Sequence, residues 1–211
     1  MLSRQLMVGH VPIMNYKNVA GSLLFIAGVV SIMGIITAET TYPEYNTHTN
    51  FISDLGATRQ PNSVIKQPAA TIFAMTLIMS GILTLASAYF VYRGFGQGHN
   101  VVTLSLLLAL SGIGILGTAA FNEQSPAFHT LFASLSFTTI SLAAIVSYGV
   151  LRAPFRYFAA ILGIIALAFF GLLFWEADPI ASLIGPGGVE RWISYPITLW
   201  SIGFGAYLMG Q

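Results

Sequence analysis

Long apolar runs separated by short polar stretches organise this sequence. Six of them approach the roughly 20 residues that an α-helix needs to cross the hydrocarbon core of a bilayer. They cover residues 19–38, 68–91, 101–121, 128–151, 157–175 and 192–209. The pattern predicts an all-α integral membrane protein with six transmembrane helices in one bundle. No repeat or soluble domain interrupts it, so we expect one transmembrane domain over residues 19–211.

Residues 1–18 differ from these runs. They carry Arg4, His10, Pro12 and Lys17 among short apolar stretches, which leaves no continuous apolar core for a span or a signal peptide. We expect this N-terminal segment to lie at the membrane interface.

Composition supports the membrane assignment. Hydrophobic residues make up 55% of the 211 positions and charged residues only 7%, whereas soluble domains carry about 25% charged residues. The chain has no cysteine, which excludes disulfides, thiolate metal sites, iron–sulfur clusters and a cysteine nucleophile. Membrane lipids and other membrane subunits are the expected partners, and nucleic acid is not.

Basic residues set the expected orientation. With six spans both termini lie on one side, and the loops on that side hold Arg4, Lys17, Arg93, Arg152 and Arg156. The other side holds Arg59, Lys66 and Arg191. The positive-inside rule therefore predicts cytoplasmic termini for a multi-pass protein of the cell membrane. All seven acidic residues fall in or beside the outer loops, so the candidate chemistry lies there.

The interiors of the predicted spans lack the charged residues that are typical of several classes of membrane protein. No Asp, Glu, Lys or Arg lies near the middle of a span, although such residues usually mark ion-coupled transporters and proton pumps. A mid-helix lysine for retinal and a pair of mid-helix histidines for haem are also missing. The sequence therefore predicts no cofactor.

The polar stretch over residues 46–57, NTHTNFISDLGA, is the expected functional segment. Phe51, Ile52 and Leu55 have the spacing of one helical turn with an apolar side. We expect the stretch to fold back against the bundle on these anchors, with Asp54 facing the bundle axis.

Two further outer segments carry polar side chains. Residues 121–129, FNEQSPAFH, predict a tight turn that brings Glu123 and His129 to the membrane surface. Residues 175–192 predict a turn-rich hairpin that ends in a Glu-Arg pair, whose Arg191 is placed to neutralise a carboxylate or hold a phosphate.

These segments predict one outward-facing site. An unpaired polar group against hydrocarbon is costly, so we expect Asp54, His129 and Glu190 to converge. The candidate ligand-binding residues are Asn50, Ser53, Asp54, Glu123, His129, Glu190 and Arg191.

Three interpretations of this site stay open. As a binding site, it holds a lipid headgroup or a partner subunit. As an enzyme site, His129 is a general base with Asp54 or Glu190 as its partner, acting on an ester or phosphoester. As a structural site, Asp54 caps backbone amides of the loop within a purely structural subunit.

A metal hydrolase is a variant of the enzyme interpretation. The candidate ligands are His48, Asp54, Glu123 and His129, but their spacing matches no recognised metal motif. No nucleophile-elbow sequence surrounds Ser53. Because neither a nucleophile nor a metal set of recognised spacing is present, we predict binding rather than catalysis.

The third run ends in the small-residue stretch SGIGILGTAA, residues 111–120. Such stretches let neighbouring helices pack closely, and they can also leave room for a lipid chain beneath the outer loops. The two interpretations are compatible.

A series of short motifs resembles a known family. The motifs are Tyr42-Pro43, Asn50-Phe-Ile-Ser-Asp-Leu-Gly56, Phe121-Asn-Glu123, His129 with Phe132-Ala133 and Phe137, and Glu190-Arg-Trp-Ile-Ser-Tyr-Pro196. From Val19 onward they resemble the prokaryotic six-helix family called domain of unknown function 998. Their order is more distantly similar to the eukaryotic Frag1/DRAM/Sfk1 family, whose members are linked to lipid handling. The resemblance implies the six-helix fold, an important outer polar cluster, and lipids.

Overall fold

The computed structural model describes residues 15–174 and 179–211. This part of the chain forms α1 (Tyr16–Thr40), α2 (Ala69–Phe95), α3 (His99–Ala120), α4 (Pro126–Val146), α5 (Phe155–Leu172) and α6 (Pro179–Met209). Two short 3₁₀ turns, Ser53–Leu55 and Ser147–Gly149, complete the regular structure of the described residues. The prediction of an all-α protein is confirmed.

The six helices form a ring. Each packs against the next in sequence, and α6 also packs against α1. Leu24, Leu104, Trp200 and Phe204 fill the ring and are fully buried. By length and composition, α1 to α5 are able to cross a membrane. Burying apolar side chains inward while leaving others at the surface is the arrangement expected of a multi-pass membrane bundle.

The first helix begins slightly earlier than the hydrophobic pattern suggests. The Asn15 side chain accepts hydrogen bonds from the backbone N–H groups of Lys17 (3.1 Å) and Asn18 (3.3 Å), which caps α1. Residues 16–18, predicted to belong to the interfacial segment, are thus the first turn of α1. The rest of that segment, residues 1–14, lies outside the described residues.

The sixth helix departs most from expectation. A hairpin was predicted for residues 175–192, of which 175–178 are outside the described residues, but the chain from Pro179 onward is helical with one interruption at Gly185. Gly185 has φ 73° and ψ 164°, a conformation that glycine adopts without steric cost. Pro186 then suits the first turn of the continuing helix, because its fixed φ fits and its missing N–H needs no partner there.

The small-residue end of α3 serves close helix packing. A β-carbon at Gly112 would lie 2.8 Å from the backbone nitrogen of Leu85 in α2, and one at Gly114 would lie 2.7 Å from that of Ser136 in α4. The space beside these two glycines is therefore occupied by neighbouring helices. Room for a lipid chain beneath the outer loops stays a prediction.

The loop between α1 and α2 folds back into one end of the bundle, as its apolar spacing predicted. Ile52 is 4% exposed and Leu55 fully buried, and both pack with Ile35 of α1 and Phe73 of α2. We call this end, which carries residues 41–68 and 121–125, the polar end. The fold thereby brings a polar loop into contact with α1, α2 and α6.

Candidate functional site

Asp54 shapes the loop in which it lies. It is 7% exposed, and its Oδ2 accepts hydrogen bonds from the backbone N–H of Phe51 (2.9 Å) and from the Asn50 side chain (3.3 Å). Burial raises the pKa of the Asp54 carboxyl, and these hydrogen bonds oppose the shift. The contacts favour a structural role for Asp54 and Asn50.

We expect Asp54→Asn to change the pH dependence of stability. The folded pKa of Asp54 lies above its ordinary 3.8, so its contribution is full below that value and is lost as pH rises through the folded pKa. Asn keeps the accepting oxygen without the charge. In detergent, the wild type should lose thermal stability with rising pH more than the variant does.

Asp54→Ala is the companion variant, since it removes the acceptor and leaves the Phe51 N–H unpaired. It should lower the free energy of unfolding by about 1–3 kcal/mol, and with it the midpoint of thermal unfolding, at every pH. If thermal stability depends on pH in the same way in the wild type and in Asp54→Asn, the raised pKa of Asp54 is contradicted.

Glu190 links α6 to the loop. It is 7% exposed, and its Oε2 accepts a hydrogen bond from the backbone N–H of Ile52. Its Oε1 accepts no hydrogen bond from the described residues. The carboxyl group thus holds the loop with one oxygen, and the other makes no hydrogen bond within the described structure.

Arg191 clamps the loop between α6 and α1. Its Nη1 donates to the carbonyl oxygens of Thr47 (3.1 Å) and Asn50 (3.3 Å). Its Nη2 donates to the Glu39 carboxylate and to the Tyr45 hydroxyl (2.9 Å). Since both terminal nitrogens serve protein acceptors, Arg191 has no terminal donor left for a phosphate. The carboxylate it neutralises belongs to α1, not to the adjacent Glu190.

Glu123 connects the short 121–125 turn with the loop and α4. Its Oε1 accepts a hydrogen bond from the Ser53 hydroxyl (3.1 Å) and lies 3.4 Å from His129 Nε2 and 3.5 Å from Arg59 Nε. His129 Nδ1 lies 2.8 Å from a backbone carbonyl oxygen, so this nitrogen carries the proton. Glu123 and His129 are each 5% exposed.

This arrangement differs from that of a nucleophilic triad, in which a histidine lies between the serine and the acid. Here the Glu123 carboxylate lies between Ser53 and His129, and the serine hydroxyl donates to the acid. Within residues 15–174 and 179–211, no histidine accepts a hydrogen bond from Ser53. The geometry therefore gives no support to a serine nucleophile activated by histidine.

The candidate metal ligands are not gathered into a binding set. Among the described residues, no group of three or more His, Asp and Glu side chains is placed to hold a metal ion. His48 is exposed, and its carbonyl oxygen accepts a hydrogen bond from the Gly187 N–H (3.1 Å). His48 thus belongs to the contact between the loop and α6.

The three residues that were predicted to converge are each connected to the loop. Asp54 bonds the loop itself, Glu190 bonds Ile52, and His129 reaches Ser53 only through Glu123. Asp54, His129 and Glu190 make no hydrogen bond or ion pair with one another in the described structure. They surround one segment rather than one shared ligand atom.

Sequence reasoning did not identify three participants, namely Glu39, Tyr45 and Arg59. Glu39 had a detectable signal, because an acid in the last turn of a helix is opposed by the helix dipole and needs a cation. Arg59 packs 3.7 Å above the Phe51 ring and pairs with Glu123. No local pattern pointed to the Tyr45 hydroxyl, which also donates to the Phe51 carbonyl oxygen (2.8 Å).

A central cavity of about 120 Å³ lies beneath the loop. Ser53, His129 and Glu190 bound its polar end. Its walls reach Ser201 on α6, eleven residues beyond Glu190, which corresponds to about 16 Å along the helix axis. This depth is close to half of the roughly 30 Å hydrocarbon core of a bilayer, or one leaflet.

The cavity wall combines apolar side chains with hydroxyl groups. Apolar residues include Ile35, Phe73, Leu77, Ile115 and Phe137. Ten Ser and Thr residues also line it: Ser31, Ser53, Thr76, Ser80, Thr84, Thr118, Ser136, Ser194, Thr198 and Ser201. Thr84, Ser136 and Ser201 are buried, and their side-chain hydroxyls make no hydrogen bond to the described residues. The wall therefore offers both apolar contacts and hydrogen-bonding groups.

A second cavity of about 210 Å³ lies between the polar ends of α2 and α3. It shares Ser53, Phe73 and His129 with the wall of the central cavity. Its own polar side chains include Gln67 and Asn122. Ser53 and His129 thus stand at the junction of a polar outer cavity and a deeper, more apolar one.

Comparison with known proteins agrees with the motif resemblance. Residues 25–207 match the family described as protein of unknown function (DUF998). The chain belongs to this family. No curated protein and no solved structure matches the chain. The DUF998 match covers all six helices in whole or in part, together with every site residue described above. The more distant similarity to the Frag1/DRAM/Sfk1 family stays an expectation.

Proposed function

We propose that this DUF998 protein binds a membrane lipid, with an acyl chain in the central cavity and the headgroup beside Ser53, His129 and Glu190. The observation that carries the proposal is the cavity itself, which begins at buried polar side chains and continues for about one leaflet thickness among apolar ones. A ligand with one polar and one apolar end complements such a site.

Binding accounts for the polar end better than catalysis does. The Ser53 hydroxyl and the His129 imidazole are both directed at the Glu123 carboxylate, so His129 is not placed to activate Ser53 as a nucleophile. A purely structural role explains the contacts of Asp54 and Arg191, but it does not explain the cavity or the hydroxyl groups in its wall that have no hydrogen-bond partner among the described residues. Lipid-modifying chemistry therefore ranks below lipid binding.

The change Ala133→Phe tests the proposal, because Ala133 of α4 lines the central cavity and a phenyl ring would fill it. We expect the purified variant to lose most of the lipid that the wild type retains in mild detergent, as counted by mass spectrometry of extracted lipid per protein. The fold should persist, since the added bulk enters existing space.

Leu131→Phe is the matched control, since Leu131 lies on the same helix but is 59% exposed. It adds aromatic bulk to the surface of the bundle and should leave the bound lipid unchanged. Equal lipid retention in the two variants would refute binding in the central cavity.

We further propose that α6 is the sixth span and that the polar end is extracytoplasmic, in the cell membrane. The ring packing of α6 between α5 and α1 supports the first point, and the distribution of basic residues supports the second. In this cysteine-free chain, a cysteine at His48 should react with an impermeant reagent on intact cells, and one at His99 should not. Labelling of position 99 alone would reverse the orientation.

A further inference from the structure

Acidic groups outnumber arginines around the polar end of the central cavity. In the described structure, four carboxyl groups and two guanidinium groups lie in the network there: Glu39, Asp54, Glu123, Glu190, Arg59 and Arg191. Lys66 is exposed and lines neither cavity.

Neither guanidinium group is placed to receive an anion from the cavity. Arg191 is committed to Glu39, Tyr45 and the loop carbonyls. Arg59 is paired with Glu123 and stacked on the Phe51 ring. Neither arginine lines either cavity, whereas the Glu190 carboxylate lines the central one.

The second cavity carries no Asp, Glu, Lys or Arg side chain on its described wall. Its hydrogen-bonding groups are the side chains of Gln67, Thr71, Thr118, Asn122, Ser53 and His129. Amide and hydroxyl groups of this kind form hydrogen bonds with neutral polar groups, but they carry no charge that could neutralise a charged ligand. Because Ser53 and His129 also line the central cavity, a headgroup there lies directly above a chain inserted below.

We infer that the site takes a lipid whose headgroup is uncharged and donates hydrogen bonds through hydroxyl groups, and that it rejects anionic headgroups. This inference rests on the proposed lipid binding. The free Oε1 of Glu190 and the Asn122 side-chain oxygen, which accepts one hydrogen bond from the Gln124 N–H, accept from the headgroup. An entering phosphate meets the acidic Glu190 side chain and no Lys or Arg on the described wall of either cavity, which leaves its charge without a counterion.

Two probes with the same acyl chain test the inference on the purified full-length protein: a monoacylglycerol and a lysophosphatidic acid. Bound radiolabelled probe per protein is measured after gel filtration in detergent. We expect the monoacylglycerol to bind at least about tenfold more tightly, as the cost of placing an uncompensated anion in a partly buried site implies. Equal affinity, or tighter binding of the lysophosphatidic acid, would overturn headgroup selection and leave lipid binding intact.

If neither probe binds, both the inference and the proposed function fail. Glu190→Gln keeps an oxygen to accept from Ile52 and removes the charge, so the preference for the neutral probe should narrow several-fold. Glu44→Gln removes the same charge from an exposed position that lines neither cavity, and the preference should persist. If Glu190→Gln still elutes as the folded protein and prefers the monoacylglycerol as strongly as the wild type does, the charge of Glu190 does not select the headgroup.

Discussion

Arg191→Met is expected to cost up to about 3–5 kcal/mol of the free energy of unfolding, the loss typical of a fully buried ion pair, because the Arg191 and Glu39 side chains are only 11% and 17% exposed. Methionine retains an apolar side chain but donates no hydrogen bond. The Glu39 carboxylate and the loop carbonyls of Thr47 and Asn50 then lose their shared donor. The loop should detach from α1 and α6, as measured by unfolding of the detergent-solubilised protein.

Arg152→Met is the control for this prediction. Arg152 is exposed, and its guanidinium makes no hydrogen bond or ion pair with the described residues. Its replacement should change the free energy of unfolding by less than about 0.5 kcal/mol. Similar losses in the two variants would mean that removing any arginine destabilises the protein and that Arg191 is not a specific clamp.

Gly187→Ala is expected to destabilise the protein by about 2–3 kcal/mol, within the range of overpacked sites. A methyl group at this position would overlap the carbonyl oxygens of Asn50 and Thr47. Both oxygens also accept hydrogen bonds from Arg191, so the loop cannot move aside without weakening the clamp. The midpoint of thermal unfolding in detergent measures the effect.

The neighbouring glycine provides a matched control. A β-carbon at Gly188 would approach only the Ile184 side chain, at 3.0 Å for the nearest atom. The gain in helix propensity from Gly to Ala, about 0.8–1 kcal/mol, offsets this contact. Gly188→Ala should therefore be close to neutral, and a loss as large as that of Gly187→Ala would show that the position of the methyl group does not matter.

The sequence was sufficient to predict the helices because membrane insertion depends on local composition. A run of about 20 apolar residues satisfies its own backbone hydrogen bonds and needs no information from the rest of the chain. The described parts of the six predicted runs are almost entirely helical, although α6 begins before its run. The spacing of Ile52 and Leu55 likewise predicted the buried side of the loop, because one turn is enough to define it.

The tertiary structure decided which partners the polar residues have. Arg191 and Glu39 are 152 positions apart and lie on helices that become neighbours only when the ring closes. Their pairing, like that of Glu190 with Ile52, depends on the rotation of each helix about its axis. Hydrophobic periodicity defines such rotations too coarsely to place one oxygen against one N–H.

The break in α6 shows the same division. Gly and Pro at residues 185–188 predicted a turn, but the same residues also permit a one-residue interruption of a helix. Contact with the loop selects the interruption, because the Gly187 N–H donates a hydrogen bond to the His48 carbonyl oxygen. The cavity is also a tertiary property, since five helices contribute to its wall. Sequence alone therefore determined a polar loop over an apolar helical bundle, whereas packing determined that the loop covers a cavity.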